Sequence, residues 1–92
     1  MATNATVNPS HAKPGAKITL TGEDMNTISE IDFRLNNSNY HQTAMVQTLS
    51  GNKLEATIPN NCPTGNQVEL VGLDKKGHEI GKLGRIVVDP PR

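Results

Sequence analysis

The feature that most constrains this chain is a two-residue alternation of apolar and polar side chains, interrupted repeatedly by glycine and proline. The alternation is clearest in residues 16–21, 31–35 and 53–58. A period of two places the apolar side chains on one face of an extended strand, as in an antiparallel sheet with one buried face. No segment shows a convincing helical period. The pattern therefore predicts an all-β protein.

About seven short strands separated by turn residues favour an immunoglobulin-like antiparallel β-sandwich over a barrel. Two registers stay open at this point. In residues 43–49, either Ala44, Val46 and Thr48 or Met45 and Leu49 can face inward. In residues 68–73, the apolar positions shift by one across a glycine, which indicates a β-bulge or a strand buried on both faces.

Turn residues predict how these strands are connected. Residues 74–77, Asp-Lys-Lys-Gly, resemble a type I turn whose Gly77 is left-handed. Residues 59–66 contain two prolines and a glycine, so they form a crossing loop and not a regular strand. Gly81 and Gly84 interrupt the last strand, where they indicate bulges or a close approach of two backbones.

The length of 92 residues fits one domain, which we assign to residues 1–89, with 90–92 as a tail or linker. The proline pair in that tail is typical of a stiff linker and suggests that the natural chain continues. Phe33 and Tyr40 are the only aromatic residues, so the core must consist mainly of Val, Ile, Leu and Ala. Phe33, inside an alternating segment, is predicted to lie in that core.

The order of several short motifs resembles the IPT/TIG family of immunoglobulin-like domains. The motifs are Pro14-Gly15, residues 18–22 (Ile-Thr-Leu-Thr-Gly), residues 31–33 (Ile-Asp-Phe), residues 54–59 (Leu-Glu-Ala-Thr-Ile-Pro), Gly65 and residues 68–70 (Val-Glu-Leu). They cover nearly the whole chain, although the glycines of the last strand depart from the usual pattern. The resemblance implies an interaction module or spacer, as in surface receptors, bacterial surface proteins, polysaccharide-processing enzymes, some transcription factors and viral particles.

Charge and cysteine content argue against several partners. The formal net charge is zero and neither sign forms a long block, so we predict no nucleic-acid partner and no attraction to anionic membranes. No apolar run is long enough to cross a bilayer, so no membrane insertion is expected. Cys62 is the single cysteine, so no internal disulfide can form, and we expect a loop or strand-edge thiol.

Catalytic and metal-binding chemistry has little support in the residues. Three histidines lie in separate segments without companions at ligand spacing. An oxygen-rich stretch at Glu23 and Asp24 matches no EF-hand loop, so an ordinary turn is favoured over calcium binding. Asp32, Glu55 and Glu69 alternate with core residues, so we expect them to face solvent from separate strands. We predict a protein that is not an enzyme and needs no cofactor.

The most suggestive surface is the polar segment before the strand at 43–49. Tyrosine next to amide and imidazole groups offers rigid contact area and adaptable hydrogen bonds, which are common at interfaces. The alternative is a long exposed connection between two strands. The candidate binding residues are Asn36, Asn37, Ser38, Asn39, Tyr40 and His41.

Two functional hypotheses follow. The first is a non-enzymatic immunoglobulin-like module for protein attachment or assembly, within a surface protein or a virion. The alternative is a glycan-binding accessory domain of a polysaccharide-active protein, although Tyr40 alone makes a poor aromatic platform for sugar stacking. The first hypothesis places the chain at a cell surface or in a virion; the first residues lack the features of a signal peptide.

Overall fold

The computed structural model describes residues 5–35 and 38–90. These residues form eight strands and one turn of 3-10 helix, Met25–Thr27, between the third and fourth strands. In chain order the strands are β1 (Thr6–Asn8), β2 (His11–Ala12), β3 (Lys17–Thr21), β4 (Glu30–Arg34), β5 (His41–Ser50), β6 (Lys53–Thr57), β7 (Asn66–Leu73) and β8 (Glu79–Val88). The two short strands β1 and β2 lie outside the segments whose alternation predicted strands.

Hydrogen bonds connect the strands in the order β1-β3-β6-β5-β4-β7-β8-β2. Strand β5 belongs to both layers of the sandwich, because residues 41–45 pair with β4 and residues 46–50 pair with β6. One layer contains β1, β3, β6 and the end of β5; the other contains the start of β5 with β4, β7, β8 and β2. Only the β2–β8 pair is parallel among these pairings of the described residues.

The core lies between the two layers and is filled by the alternating apolar side chains. Phe33 is fully buried, as predicted. Met25 and Ile28 are also buried, although they stand in a polar connection outside any alternating segment. The remaining core side chains are Ile18, Leu20, Ile31, Leu54, Ala56, Ile58, Cys62, Val68, Leu70, Leu83, Ile86 and Val88. Burial of this aliphatic set is the main favourable term for the fold.

Strand β5 resolves the first open register. Ala44 and Val46 pack against the core, whereas Met45 and Leu49 are 74% and 48% exposed. Thr48 is exposed as well, so the inward alternation ends with Val46. Strand β5 therefore presents two large apolar side chains to solvent.

Strand β7 resolves the second open register. Val71 and Leu73 are buried but lie outside the central core cluster, so β7 is buried on both faces. The bulges lie in the partner strand: the β7–β8 register shifts between Leu70 and Val71 and again between Gly72 and Leu73. Both proposed explanations, a bulge and a doubly buried strand, are thus present.

Two predictions about glycine also agree with the structure. Gly77 has φ +82° and its N–H donates to the Asp74 carbonyl at 3.0 Å, which completes the predicted turn. At Gly84 a Cβ would stand 3.2 Å from Val7 Cγ2, so the backbone of β8 does approach β1 closely.

The carboxylates of β6 and β7 differ slightly from the expectation. Glu55 and Glu69 point away from the core but are half-buried instead of fully solvated. Lys17 Nζ lies 4.0 Å from Glu55 Oε1, and Lys82 Nζ lies 3.8 Å from Glu69 Oε2. Neighbouring lysine side chains therefore cover part of each carboxylate.

Backbone hydrogen bonds define two opposite ends of the sandwich. At one, which we call the Tyr40 end (residues 13–16, 38–41 and 59–65), the Gly65 N–H donates to the Val88 carbonyl at 2.7 Å. At the other, the Asp74 end (residues 22–29, 51–52 and 74–78), the Ser29 N–H donates to the Leu73 carbonyl at 2.8 Å. The candidate binding residues belong to the Tyr40 end.

Candidate functional site

A shallow depression of about 400 Å³ lies on the outer face of β4 and β5 at the Tyr40 end. Four of the six predicted binding residues line it, and Asn36 and Asn37 fall outside the described residues. Its lining consists of Asp32, Arg34, Leu35, Ser38, Asn39, Tyr40 and His41. We call it the Asp32 depression. The predicted segment therefore borders a shallow depression lined mostly by polar residues.

The carboxylate of Asp32 is the unusual group in this depression. Asp32 is 5% exposed, which corrects the expectation that it faces solvent. It does point outward from β4, opposite Thr43 of β5 and Val71 of β7, but its neighbours cover it. Its Oδ2 accepts a hydrogen bond from Arg34 Nε at 2.8 Å. Its Oδ1 is buried and has no hydrogen-bond partner among the described residues, with His41 Nδ1 3.6 Å away.

Arg34 connects this carboxylate with a second one. Its guanidinium donates to Asp32 and also to Glu79 Oε1 at 3.2 Å. The hydrogen bond to Asp32 is the main cause that raises the pKa of Arg34, so the side chain stays a cation. Two acceptors hold the guanidinium in place at the rim, where further N–H groups can donate to a ligand.

Tyr40 lines the Asp32 depression and is hydrogen-bonded to a residue that lines a second one. Its hydroxyl donates to Asn61 Oδ1 at 3.0 Å, and its ring is partly buried against the core. Burial, followed by the proximity of Cys62, raises the pKa of Tyr40 to about 12. The segment before it is held by a hydrogen bond from the Tyr40 N–H to Ser38 Oγ at 3.1 Å. Tyr40 is therefore a fixed, neutral side chain and not a free stacking platform.

The second depression measures about 650 Å³, and its lining includes Asn61, the hydrogen-bond partner of Tyr40. It opens where β5 leaves β6 to join β4, so the two strands diverge. The described residues that line it carry no formal charge: Gly15, Gln42, Thr43, Ala44, Thr57, Ile58, Pro59, Asn60 and Asn61. We call it the Thr57 depression. It offers amides and hydroxyls beside small apolar surfaces.

Cys62 lies in the predicted crossing loop, but its side chain is 4% exposed and packs in the core. Burial raises the pKa of this thiol, so it stays protonated at neutral pH. The expectation of a loop thiol is met, whereas a strand-edge position is not.

Metal and membrane features can be judged for residues 5–35 and 38–90. No group of three or more His, Cys, Asp or Glu side chains in this part could hold a metal ion, including the region of Glu23 and Asp24. The same part contains no helix with the length and apolarity needed to span a membrane.

The sequence alone did not indicate Asp32 and Arg34 as part of the site. They are separated by one residue on β4, so both point outward, and the pairing with β5 brings His41 beside them. The available signal was the Asp-x-Arg spacing within a predicted strand. The side chains that surround Asp32 and Arg34 depend on which strands lie beside β4. No local sequence pattern specifies that strand order.

Among known proteins, the similarity to this chain lies in solved structures and not in sequences. No protein-family model and no curated protein sequence matches the chain. Among solved structures, it is similar to the SGBP-B protein of the mixed-linkage glucan utilization locus of Bacteroides ovatus, solved with a mixed-linkage heptasaccharide: TM-score 0.69, 20% identity, 96% of this chain and 22% of that one. It is also similar to an auxiliary nutrient binding protein of the same organism, with TM-score 0.56, 15% identity, and coverage of 96% and 21%.

These similarities confirm the fold. The chain is an all-β, immunoglobulin-like sandwich. It spans about one fifth of the length of either of these proteins. The first was solved with a bound oligosaccharide and the second is named for nutrient binding, and at this level of identity the similarity establishes the architecture alone.

Proposed function

We propose that this chain is a non-enzymatic glycan-binding accessory module and that it contacts sugar at the Asp32 depression. The observation that carries the proposal is the buried Asp32 Oδ1, which has no hydrogen-bond partner among the described residues and belongs to the lining of a depression with mostly polar residues. A buried acceptor without a partner costs free energy, so a ligand hydroxyl that displaces the exposed His41 side chain beside it and donates to Oδ1 gains affinity.

The chemistry around Asp32 suits a hydroxyl-rich neutral ligand. A sugar hydroxyl can donate to Asp32 Oδ1 while its oxygen accepts from the Arg34 guanidinium, and charge-assisted hydrogen bonds of this kind are strong. Leu35 and the rim of Tyr40 supply a small apolar contact for C–H groups of the ring. Asp32 supplies the one carboxylate among the described lining residues, and its Oδ2 is bound by Arg34. The described lining therefore offers neither a pair of free carboxylates nor an activated nucleophile.

The comparisons support the same proposal. The SGBP-B structure contains a mixed-linkage heptasaccharide, and the second protein is named for nutrient binding. Since this chain matches about one fifth of each, we propose that it works as one unit within a longer polysaccharide-capturing protein. Polysaccharides are met outside the cell, so we place it at the cell surface. Membership in the IPT/TIG family stays a prediction.

The test is calorimetry with mixed-linkage glucan oligosaccharides on the wild-type chain and on Asp32→Asn. We expect the variant to weaken binding about tenfold or more, since a hydrogen bond to a charged group contributes about 1.5–3 kcal/mol. Glu79→Gln is the matched control, because it also removes one carboxylate partner of Arg34 but lies outside the Asp32 depression. Equal losses in both variants, or no sugar binding at all, would contradict the proposal.

Protein attachment is the second candidate function. The observation that favours it is the pair Met45 and Leu49, which are the exposed large hydrophobic residues in the described part of the chain and stand on one strand. Exposed apolar groups on a strand at the border of a sheet are typical of contact surfaces. Loss of partner capture in Met45→Ser/Leu49→Ser, with sugar binding unchanged, would support this function.

A further inference from the structure

We propose that the Asp32 and Thr57 depressions form one continuous groove that binds a linear neutral oligosaccharide across the Tyr40–Asn61 hydrogen bond. This inference rests on the proposed function and adds the shape and length of the ligand. The Asp32 depression would hold one part of the sugar chain through charged groups. The Thr57 depression would hold the adjoining part through amides and hydroxyls.

The connection between the two depressions follows from consecutive residues of one segment. Tyr40 and His41 line the Asp32 depression, and Gln42 and Thr43 line the Thr57 depression. Asn61, which accepts the hydrogen bond from the Tyr40 hydroxyl at 3.0 Å, lies in the lining of the second. A chain that leaves one depression over this hydrogen bond therefore enters the other directly.

The lining of the Thr57 depression fits the repeating chemistry of a neutral glycan. Thr43 and Thr57 are exposed and offer hydroxyls that both donate and accept. Asn60 and Asn61 add amide groups, and Pro59 adds an apolar patch for the C–H face of a sugar ring. The lack of formal charge among these described residues argues against an acidic sugar at this position and for a neutral one.

The position of the groove has a structural cause. Strand β5 pairs with β4 through residues 41–45 and with β6 only from Val46 onward. Strands β5 and β6 therefore separate toward the Tyr40 end, and residues 57–61 continue past Ala56, the last residue of β6 that pairs with β5. This divergence opens the Thr57 depression, whose volume of about 650 Å³ exceeds the 400 Å³ of the Asp32 depression. A ligand longer than one depression is needed to fill both.

The experiment is a calorimetric titration with mixed-linkage glucan fragments from disaccharide to heptasaccharide. The wild-type affinity is expected to rise with length until both depressions are filled and then to level off. Thr43→Val and Thr57→Val each remove one hydroxyl with little change of shape. Either change should lower heptasaccharide affinity about three- to tenfold, as expected for one lost hydrogen bond, and should reduce the ratio between long and short fragments.

The control is Thr21→Val, an exposed threonine of β3 that lines neither depression, which should bind every fragment as the wild type does. Thermal melts establish that all variants are folded. Length-independent binding that Asp32→Asn still weakens would overturn the groove but leave the proposed function standing. Failure of every fragment to bind the wild type would overturn both. Reduced length dependence in Thr43→Val and Thr57→Val, but not in Thr21→Val, supports the inference.

Discussion

The two ends of the sandwich each carry a depression of about 400 Å³ with an aspartate in its lining, yet the two carboxylates are used differently. At the Asp74 end, Asp74 Oδ1 accepts hydrogen bonds from the Lys76 and His78 N–H groups, both at 2.9 Å. At the Tyr40 end, Asp32 Oδ1 accepts none from the described residues. Depressions of similar volume thus contain an aspartate that holds a turn in one case and an aspartate with a buried, unpartnered oxygen in the other.

The difference shows what distinguishes a binding surface from a polar loop. Each depression is lined by an aspartate, an asparagine, a serine, a histidine and at least one basic residue, so composition does not separate them. Asp74 is partly exposed and the turn binds its Oδ1, whereas Asp32 is buried and Arg34 binds its Oδ2. Water can reach the Asp74 carboxylate but is excluded from Asp32 Oδ1, so a ligand hydroxyl that reaches Oδ1 gains more at Asp32.

The largest expected effect concerns the packing behind the Asp74 end. In Gly72→Ala, the new Cβ would meet Ile28 Cδ1 at 3.1 Å and Leu83 Cδ1 at 3.4 Å. We expect a loss of about 1–3 kcal/mol in unfolding free energy from this overpacking, measured by denaturant titration. Gly51→Ala is the control, since its Cβ would meet nothing within 4 Å. A stable Gly72→Ala protein would contradict the tight packing described for this end.

A smaller effect is expected for Tyr40→Phe, which keeps the ring and removes the hydroxyl bonded to Asn61. We expect a loss of about 0.5–1.5 kcal/mol at neutral pH. The folded pKa of Tyr40 is raised from 10.0 to about 12, so the protonated phenol stabilises the fold below pH 10 and this contribution is lost as pH rises toward 12. The phenylalanine variant should lack that alkaline loss.

Unfolding free energies measured from about pH 8 to about pH 12 test this difference. Because burial also raises the pKa of the Cys62 thiol, the comparison is made with and without Cys62→Ala in both proteins, which removes thiol ionisation. The pKa of Tyr40 should be raised less without Cys62, since Cys62 contributes to that shift. If the protein with Tyr40 and the Tyr40→Phe variant lose stability in parallel over this range, the Tyr40 hydroxyl is not buried in solution.

The smallest expected effect is at the turn. Hydrogen bonds from the His78 and Lys76 backbones lower the pKa of Asp74 from 3.8, so the ionised carboxylate stabilises the turn above that pH and the contribution is lost as pH falls through the lowered value. Asp74→Ala should lower the melting temperature by a few degrees at pH 7 and reduce the acid sensitivity. Asp74→Asn, which keeps one acceptor oxygen, should lose less. A change of sugar affinity in either Asp74 variant would contradict the view that sugar binds at the Tyr40 end and not at the Asp74 end.

The sequence was informative about the fold because strand periodicity is local. Alternation in residues 16–21, 31–35 and 53–58 predicted β3, β4 and β6, and the Asp-Lys-Lys-Gly turn was correct. Met25 and Ile28 escaped notice because a connection that crosses the end of a sandwich buries side chains without any repeat. The inward register of β5 needed the structure, because both of its faces carry apolar residues.

The candidate site was only partly predictable. The polar segment pointed to Ser38, Asn39, Tyr40 and His41, which line the Asp32 depression, whereas the role of Asn36 and Asn37 remains a prediction. The burial of Asp32 could not be inferred, because an acidic residue in an alternating strand normally faces water. Its burial depends on the side chains of two neighbouring strands, and strand order is a property of the whole chain.

The parallel pairing of β2 with β8 has a mechanical consequence for a module held between other units. His11 and Ala12 pair with Val87 and Val88, so the first and last parts of the chain run side by side in the same direction. Tension that draws the two termini apart would slide these strands lengthwise, loading their hydrogen bonds together instead of peeling them one at a time. Such an arrangement resists extension of the sandwich from its two ends.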